Sequence, residues 1–143
     1  MSDRVLRVAL AASCLAGAAV TGYLLSARLG SAELLCSTGG CETVQDSSYA
    51  ELIGVPVAAL GLAAYLFIGA TALATGLSAR AAGAAVALAA AMFSGYLLVI
   101  QLAAVGAVCD WCLASDVVVT VVAATALLRL RDGLQPAAHG RAA

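Results

Sequence analysis

Four of the five cysteines in this 143-residue chain fall into two closely spaced pairs, which points to thiol–disulfide chemistry. Cys109 and Cys112 form a C-x-x-C motif, and Cys36 and Cys41 have four residues between them. A long apolar run follows the C-x-x-C, so the motif lies on the first turn of a predicted helix, where residues three apart have Cα atoms about 5–6 Å apart, as a disulfide requires. The partial positive charge of a helix N-terminus stabilises a thiolate, which is the reactive form in disulfide exchange. The two pairs are therefore candidates for an electron relay.

The elements that hold these cysteines are predicted to lie in lipid. Hydrophobic residues make up 64% of the chain and charged residues 10%, against about 45–50% and about 25% in soluble domains. A soluble domain of this length has too little interior to bury so much apolar surface. The seven basic residues are all arginines and are scattered, so they offer no continuous basic face to nucleic acid. The composition indicates an integral membrane protein and excludes a nucleic-acid-binding or disordered chain.

Four stretches are apolar enough to cross a bilayer, which takes about 20 residues each. The fourth stretch is interrupted by one acidic residue, Asp116. None of them alternates as a barrel strand does, so helices are the only spanning structure available. Residues 132–143 are predicted to be a disordered tail. The predicted fold is an all-α bundle of four transmembrane helices, at about 8–27, 56–78, 82–106 and 110–128.

The arginines predict the orientation of this bundle. An even number of helices puts both termini on one side, and short segments rich in arginine stay in the cytoplasm. Only Arg28 falls on the opposite side, where a large loop joins the first two helices and residues 42–53 are predicted to form a short surface helix. All four paired cysteines then lie on the outer face, where an oxidising compartment lets disulfides persist. The arginines on the cytoplasmic side are Arg4, Arg7, Arg80, Arg129, Arg131 and Arg141.

Two other interpretations of the cysteines remain open. Four cysteines can hold a structural zinc ion, or the pairs can be inert disulfides in a membrane protein without enzymatic activity. Exchange is favoured because a C-x-x-C at a helix start is poised for it, and because the spacing of Cys36 and Cys41 is not typical of zinc sites. Cys14, inside the first predicted helix, is interpreted as a packing residue. The apolar run around it is too long for a cleaved lipoprotein signal.

Short motifs surround both pairs, and they can be compared with known families. They are the loop Cys36-Ser37-Thr38-Gly39-Gly40-Cys41, then Val44, Ser47, Tyr49-Ala50, Gly54-Val55-Pro56 and Gly61, and finally Cys109-Asp110-Trp111-Cys112 with Ser115. Over about residues 5–130 this pattern resembles the bacterial branch of the vitamin K epoxide reductase family. The membrane oxidase that partners DsbA in other bacteria has its C-x-x-C ahead of the wider pair, so the order found here favours the first family.

The resemblance implies a quinone-linked thiol oxidoreductase with a division of labour between the pairs. In the family, the C-x-x-C is the active site, and its second cysteine, here Cys112, faces a membrane quinone such as menaquinone or ubiquinone. The loop pair, Cys36 and Cys41, relays electrons to Cys109 and Cys112 from a thioredoxin-fold carrier of the DsbA type. Ser47 matches a family serine near the active cysteines.

The resemblance also implies a cellular context. Family members often carry a fused thioredoxin-like domain, and none is recognised within residues 1–143, which are expected to form one transmembrane domain. The carrier is therefore expected to be a separate protein, and the location the plasma membrane of a bacterium. No metal is expected as a cofactor.

Two further residues are assigned to the quinone. Gln101 lies two to three turns before Cys109 and is predicted to hydrogen-bond a quinone carbonyl, a helix–helix hydrogen bond being its alternative role. Trp111 has an amphipathic ring suited to the membrane interface, and it is predicted to contact the quinone.

Overall fold

The computed structural model describes residues 2–139, with side chains described as far as residue 135. Four long helices form a ring in which α1 packs on α3 and α5, and α4 packs on α5 and α3. The predicted all-α, four-helix fold is confirmed, with a loop that bears a short helix. The helices are α1 (Asp3–Arg28), α2 (Cys41–Gln45), α3 (Val57–Leu73), α4 (Leu77–Ile100) and α5 (Asp110–His139).

The helices have the lengths and compositions of membrane spans. Three segments are long and apolar enough to cross a bilayer, and α3, with 17 residues, is a shorter apolar helix between them. About 17 residues is the lower limit for a spanning helix. The protein is therefore a multi-pass membrane protein. The three longer segments are Asp3–Arg28, Leu77–Val105 and Asp110–Gln135.

The predicted bounds differ from the observed ones mainly at the ends of the helices. Helix α5 continues to His139 rather than ending at residue 128. Residues 132–139, which the sequence predicts to be disordered, are therefore helical, and the rest of the predicted tail lies outside the described residues. Helix α1 already begins at Asp3, since the polar residues that precede the apolar run continue the same helix.

Helix α3 ends five residues earlier than predicted because arginine side chains donate hydrogen bonds to its last carbonyl groups. Arg7 donates hydrogen bonds to the carbonyl oxygens of Ala72 (2.8 Å) and Leu73 (3.0 Å). Arg129 donates to the carbonyl oxygen of Thr71 (2.8 Å) and is itself buried. These donors satisfy groups that a helix C-terminus leaves without partners. Helix α4 then begins at Leu77, directly after Gly76 and five residues before the predicted start at residue 82.

The two ends of the bundle differ in charge. Asp3 forms ion pairs with Arg80 (3.1 Å) and Arg129 (3.6 Å). Together with Arg7, which bonds the end of α3, three basic residues therefore meet at the end that carries the N-terminus. The opposite end carries the long loop, both cysteine pairs and one arginine, Arg28, which pairs with Asp46 (3.3 Å) and Glu51 (2.7 Å).

The outer loop contains less helix than predicted. Helix α2 ends at Gln45, a 3₁₀ turn follows at Ser48–Ala50, and the strands β1 (Glu51–Leu52) and β2 (Val55–Pro56) pair as an antiparallel hairpin. Both residues of its two-residue turn, Ile53 and Gly54, have positive φ (54° and 77°), as the favoured hairpin turns require. This turn, rather than a continuing helix, leads the chain into α3.

The connection from α4 to α5 sets the position of the C-x-x-C motif. Helix α4 continues as one π-helical turn, Gln101–Val105, where the sequence predicts ordinary helix to residue 106. Gly106, with a φ of 67°, ends this turn by donating to the carbonyl oxygen of Gln101 (3.0 Å). Single π-helical turns are often found at functional sites, and this one begins with Gln101, which is buried.

Candidate active site

Both predicted cysteine pairs are disulfides. The Cα atoms of Cys36 and Cys41 are 6.0 Å apart, and those of Cys109 and Cys112 are 5.2 Å apart, within the range that a disulfide spans. Cys14 is the free cysteine, and it is buried in the hydrophobic core between the helices, as expected of a packing residue.

Each disulfide has one buried and one accessible sulfur. Cys41 and Cys109 are both 0% exposed and belong to one buried cluster with Leu24, whereas Cys36 and Cys112 are half-buried at its edge. The buried members of the two pairs are therefore brought into the same cluster.

Asp110 docks the loop disulfide against the C-x-x-C motif. Its Oδ2 atom accepts hydrogen bonds from the backbone N–H groups of Ser37 (2.7 Å) and Thr38 (3.2 Å), and lies 3.7 Å from the sulfur of Cys36. The Thr38 hydroxyl donates to the carbonyl oxygen of Val108 (2.7 Å). We call residues 36–41 the relay loop, and these contacts hold it on the residues that begin α5.

The relay loop approaches α5 so closely that one position requires glycine. A Cβ atom at Gly40 would overlap the backbone carbonyl of Val108. The absence of a side chain therefore lets Cys41, the next residue, reach the buried cluster that contains Cys109.

A potential metal site overlaps this contact. Among residues 2–139, Cys36, Cys41 and Asp110 form a cluster of potential metal ligands, with ligand atoms within 4.8 Å of one another. A structural zinc ion needs four ligands, usually thiolates or imidazoles. In the oxidised protein both cysteines are in a disulfide, so this set does not fit such an ion.

Trp111 lies on the loop side of α5. Its ring packs edge-on against Tyr23, with 4.8 Å between ring centroids, and its N–H donates to the carbonyl oxygen of Leu35 (2.7 Å). Trp111 is not among the residues that line the cavity between the helices, and its contact with the quinone stays a prediction. Because successive side chains on a helix point about 100° apart, the neighbouring Cys112 faces the cavity while Trp111 faces the loop. Trp111 anchors the segment that leads into the relay loop.

The cavity has a volume of about 350 Å³, is partly open, and lies between the helices and the outer loop. Its wall is mostly apolar and is formed by all four long helices, and Cys112 is the one cysteine in the described part of the chain that lines it. Binding sites for small organic molecules have this size and character, with a few polar groups that set orientation. One sulfur of the C-x-x-C pair thus faces a ligand-sized apolar space.

Two of the predicted site residues line this cavity with Cys112. Gln101 is buried (4% exposed), and its side-chain N–H₂ group has no hydrogen-bond partner among the described residues. Ser47 lies in the outer loop, where its hydroxyl donates to the carbonyl oxygen of Val44 (2.7 Å). Gln45, which the sequence does not single out, places its amide nitrogen 3.9 Å from the sulfur of Cys112.

A polar group that sequence reasoning overlooks lies deeper in the cavity. Asp116 follows Cys112 by one helical turn, lines the same wall, and accepts a hydrogen bond from the hydroxyl of Ser94 on α4. Beside it, the hydroxyls of Ser115 and Tyr65 are 3.2 Å apart. The available signal was a charged residue inside a predicted span, which is a functional-site hypothesis by default.

Comparison with known families agrees with this site. Residues 8–127, most of the chain, match the vitamin K epoxide reductase family, so the protein belongs to that family. It is accordingly an enzyme of the quinone-linked thiol oxidoreductase class. No individual curated protein matches the chain significantly.

Proposed function

We propose that this protein reoxidises a thioredoxin-fold disulfide carrier of the DsbA type and passes its electrons through two cysteine pairs to a membrane quinone. This activity supports disulfide-bond formation outside the cytoplasm. The observation that carries the proposal is the position of Cys112, which belongs to a disulfide docked against the relay loop and also lines the apolar cavity. It therefore joins a protein-facing disulfide to a lipid-soluble acceptor.

Electrons enter at the relay loop. Cys36 is the accessible member of its pair and Cys41 the buried one, so a carrier thiolate attacks the sulfur of Cys36 and releases Cys41 as a thiolate. The second carrier thiol then attacks the carrier sulfur of the mixed disulfide and releases Cys36 as a thiolate. The carrier departs with a disulfide, and both loop cysteines are left reduced.

Transfer between the pairs follows from the shared buried cluster. The Cys41 thiolate attacks Cys109, which breaks the bond to Cys112 and releases Cys112 as a thiolate on the first turn of α5. The partial positive charge at that helix end stabilises the thiolate. Cys36 then attacks Cys41, which restores the loop disulfide and frees Cys109. Two electrons now reside on the C-x-x-C pair.

The cavity fits a quinone ring as the electron acceptor. Its apolar wall suits a planar hydrophobic ring, and the unpartnered amide N–H₂ of Gln101 suits a ring carbonyl, because a buried donor without a partner is costly. When bound, the quinone accepts two electrons and two protons. Cys109 and Cys112 supply the electrons as their disulfide closes again, and Ser47 helps to close the cavity at the loop. Menaquinone and ubiquinone share this chemistry.

We place the protein in the plasma membrane of a bacterium, with both termini in the cytoplasm. The ion-paired arginines at the end that carries the N-terminus support this orientation, because arginine-rich ends stay inside. Arg28, at the other end, is compensated by Asp46 and Glu51. The cysteine pairs then face the oxidising side, where a separate carrier has access to the relay loop.

Purified protein in detergent tests the proposal directly, with dithiothreitol as donor and menadione as acceptor. Wild type should reduce menadione well above the direct chemical rate, and Cys112→Ser should fall to that background because no other sulfur of residues 2–139 lines the cavity. Cys14→Ser, the matched control, should retain the activity, since Cys14 lies in the core away from both disulfides. Equal activity of Cys112→Ser and wild type would contradict the proposal.

Stoichiometric zinc without menadione reduction would favour a structural metal site instead.

A further inference from the structure

Asp116 occupies a position for which the packing of the bundle gives no reason. It follows Cys112 by four residues on α5, so the two side chains lie on one helical face about 6 Å apart along the axis. Both line the cavity. The hydrogen bond from Ser94 links α5 to α4, but an amide or a hydroxyl would make the same link without placing an acid inside the membrane.

Among the described residues, no cation lines the cavity that Asp116 faces. The hydrogen-bond partner of Asp116 is Ser94 on α4, the hydroxyls of Ser115 and Tyr65 lie beside it, and no basic residue lines the described cavity. A carboxylate in an apolar site without a cation is costly, and acids within membrane spans are therefore rare and usually functional. Taking up a proton removes that cost, so Asp116 is a group that can hold a proton beside the cavity.

Two other hydroxyls that line the cavity are hydrogen-bonded to backbone carbonyls, and a third, that of Tyr49, belongs to a side chain that is 43% exposed at the outer loop. Tyr65 donates to the backbone carbonyl of Ser115 or shares a hydrogen bond with its hydroxyl, both at 3.2 Å. The hydroxyl of Ser47 donates to the carbonyl of Val44. Asp116 is the one carboxyl group that lines the described cavity.

We infer that Asp116 donates a proton to the quinone as it is reduced, and is thus a catalytic residue of the reaction proposed above, on which this inference rests. Before the step, Cys112 is a thiolate, Cys109 a thiol and Asp116 a neutral acid. Closing the Cys109–Cys112 disulfide releases two electrons to the quinone. One proton comes from Asp116 and the other from the thiol of Cys109, so the product is a hydroquinone, a disulfide and the Asp116 carboxylate. A proton from outer-surface water, entering past Gln45 and Ser47, then restores the acid.

The test compares wild type with Asp116→Asn, which keeps the size and the hydrogen bond to Ser94 but carries no transferable acidic proton. Reduced protein is mixed with menadione, and formation of the Cys109–Cys112 disulfide is followed. We expect the rate to fall about 100-fold or more, as for loss of a general acid. The residual rate should rise as pH falls, because the solvent must then supply the proton. Asp132→Asn, which alters an acid further along α5 and outside the cavity, is the matched control and should react as wild type does.

Two further measurements separate proton donation from binding and folding. Quenching of Trp111, the only tryptophan, reports menadione affinity, and we expect Asp116→Asn to bind within about threefold of wild type while its rate falls. Its thermal stability should be close to that of wild type, because Asn keeps the size of the side chain and the hydrogen bond to Ser94. Infrared difference spectra should show a protonated carboxyl signal that changes with the redox state of wild type and is missing from Asp116→Asn.

The outcomes distinguish this inference from the proposed function. If wild type itself does not react with menadione, the proposed function fails. If wild type reacts and Asp116→Asn reacts at a similar rate, or loses affinity in proportion to rate, proton donation by Asp116 is wrong and the function stands. If the Asp116→Asn protein cannot be produced in folded form, the same rate is measured for Asp116→Glu and Ser94→Ala, since both variants keep a carboxyl group at residue 116. Loss of activity in both as complete as in Cys112→Ser would overturn the inference.

Discussion

Replacing both relay-loop cysteines, as Cys36→Ser with Cys41→Ser, should abolish oxidation of a protein carrier but leave most of the dithiothreitol-driven reduction of menadione. A folded carrier is too large to reach the C-x-x-C pair beneath the docked loop, where Cys109 is fully buried. A small dithiol can reach Cys112, which is half-buried. Both activities are measured on the same preparation, with a reduced DsbA-type protein and dithiothreitol as alternative donors.

Variants of the active pair provide the comparison for this experiment. Cys109→Ser or Cys112→Ser should abolish both activities, because the electrons then have no dithiol from which to reach the cavity. Cys14→Ser should leave both unchanged. If the relay-loop variant loses the dithiothreitol activity as completely as Cys112→Ser does, the loop pair is part of the reaction centre, and the proposed division of labour is wrong.

The second large effect concerns the entry point for electrons. Removing the resolving cysteine of an exchanging pair strands the mixed disulfide, so Cys41→Ala should accumulate a covalent complex between the carrier and Cys36. Cys36→Ala should trap far less, because the remaining Cys41 is 0% exposed and lies under the docked loop. Non-reducing electrophoresis of cells that contain carrier and variant measures the complex.

Two other trapping patterns would mean that electrons do not enter at Cys36 as proposed. Strong trapping by Cys109→Ala, with none by either loop variant, would mean that the carrier bypasses the relay loop and attacks the C-x-x-C pair directly. Stronger trapping by Cys36→Ala than by Cys41→Ala would mean that the loop opens before the carrier binds, since only then is Cys41 accessible.

The sequence predicts the chemistry and the number of helices because both depend on local signals. Cysteine spacing and apolar run length are properties of neighbouring residues, and both pairs and all four helices are confirmed. The ends of α3 and α4 are less predictable. Arg7 and Arg129, far along the chain in opposite directions, end α3 through hydrogen bonds that only the packed bundle brings together.

The orientation of side chains around α5 could not be predicted either. Trp111 and Cys112 are neighbours in sequence, but only the packing of four helices decides which of them faces the cavity. Asp116 was visible in the sequence as an acid within an apolar stretch. The role inferred for it depends on its sharing a cavity wall with Cys112 and on the lack of a basic residue in the described cavity lining, and both features arise only when the helices pack. The residues 42–53 were predicted to be helical, whereas the Ile53–Gly54 turn forms a hairpin.

The most direct test of the central claim is the order in which the two disulfides form in a single turnover. Fully reduced protein, without an external donor, is mixed anaerobically with limiting menadione, quenched with acid and a thiol-blocking reagent, and mapped by mass spectrometry. We expect Cys109–Cys112 to form first, with one hydroquinone for each disulfide, and Cys36–Cys41 to form later by exchange. In Cys112→Ser the loop disulfide should not form. Formation of the Cys36–Cys41 disulfide in that variant at the wild-type rate would contradict a relay through Cys112.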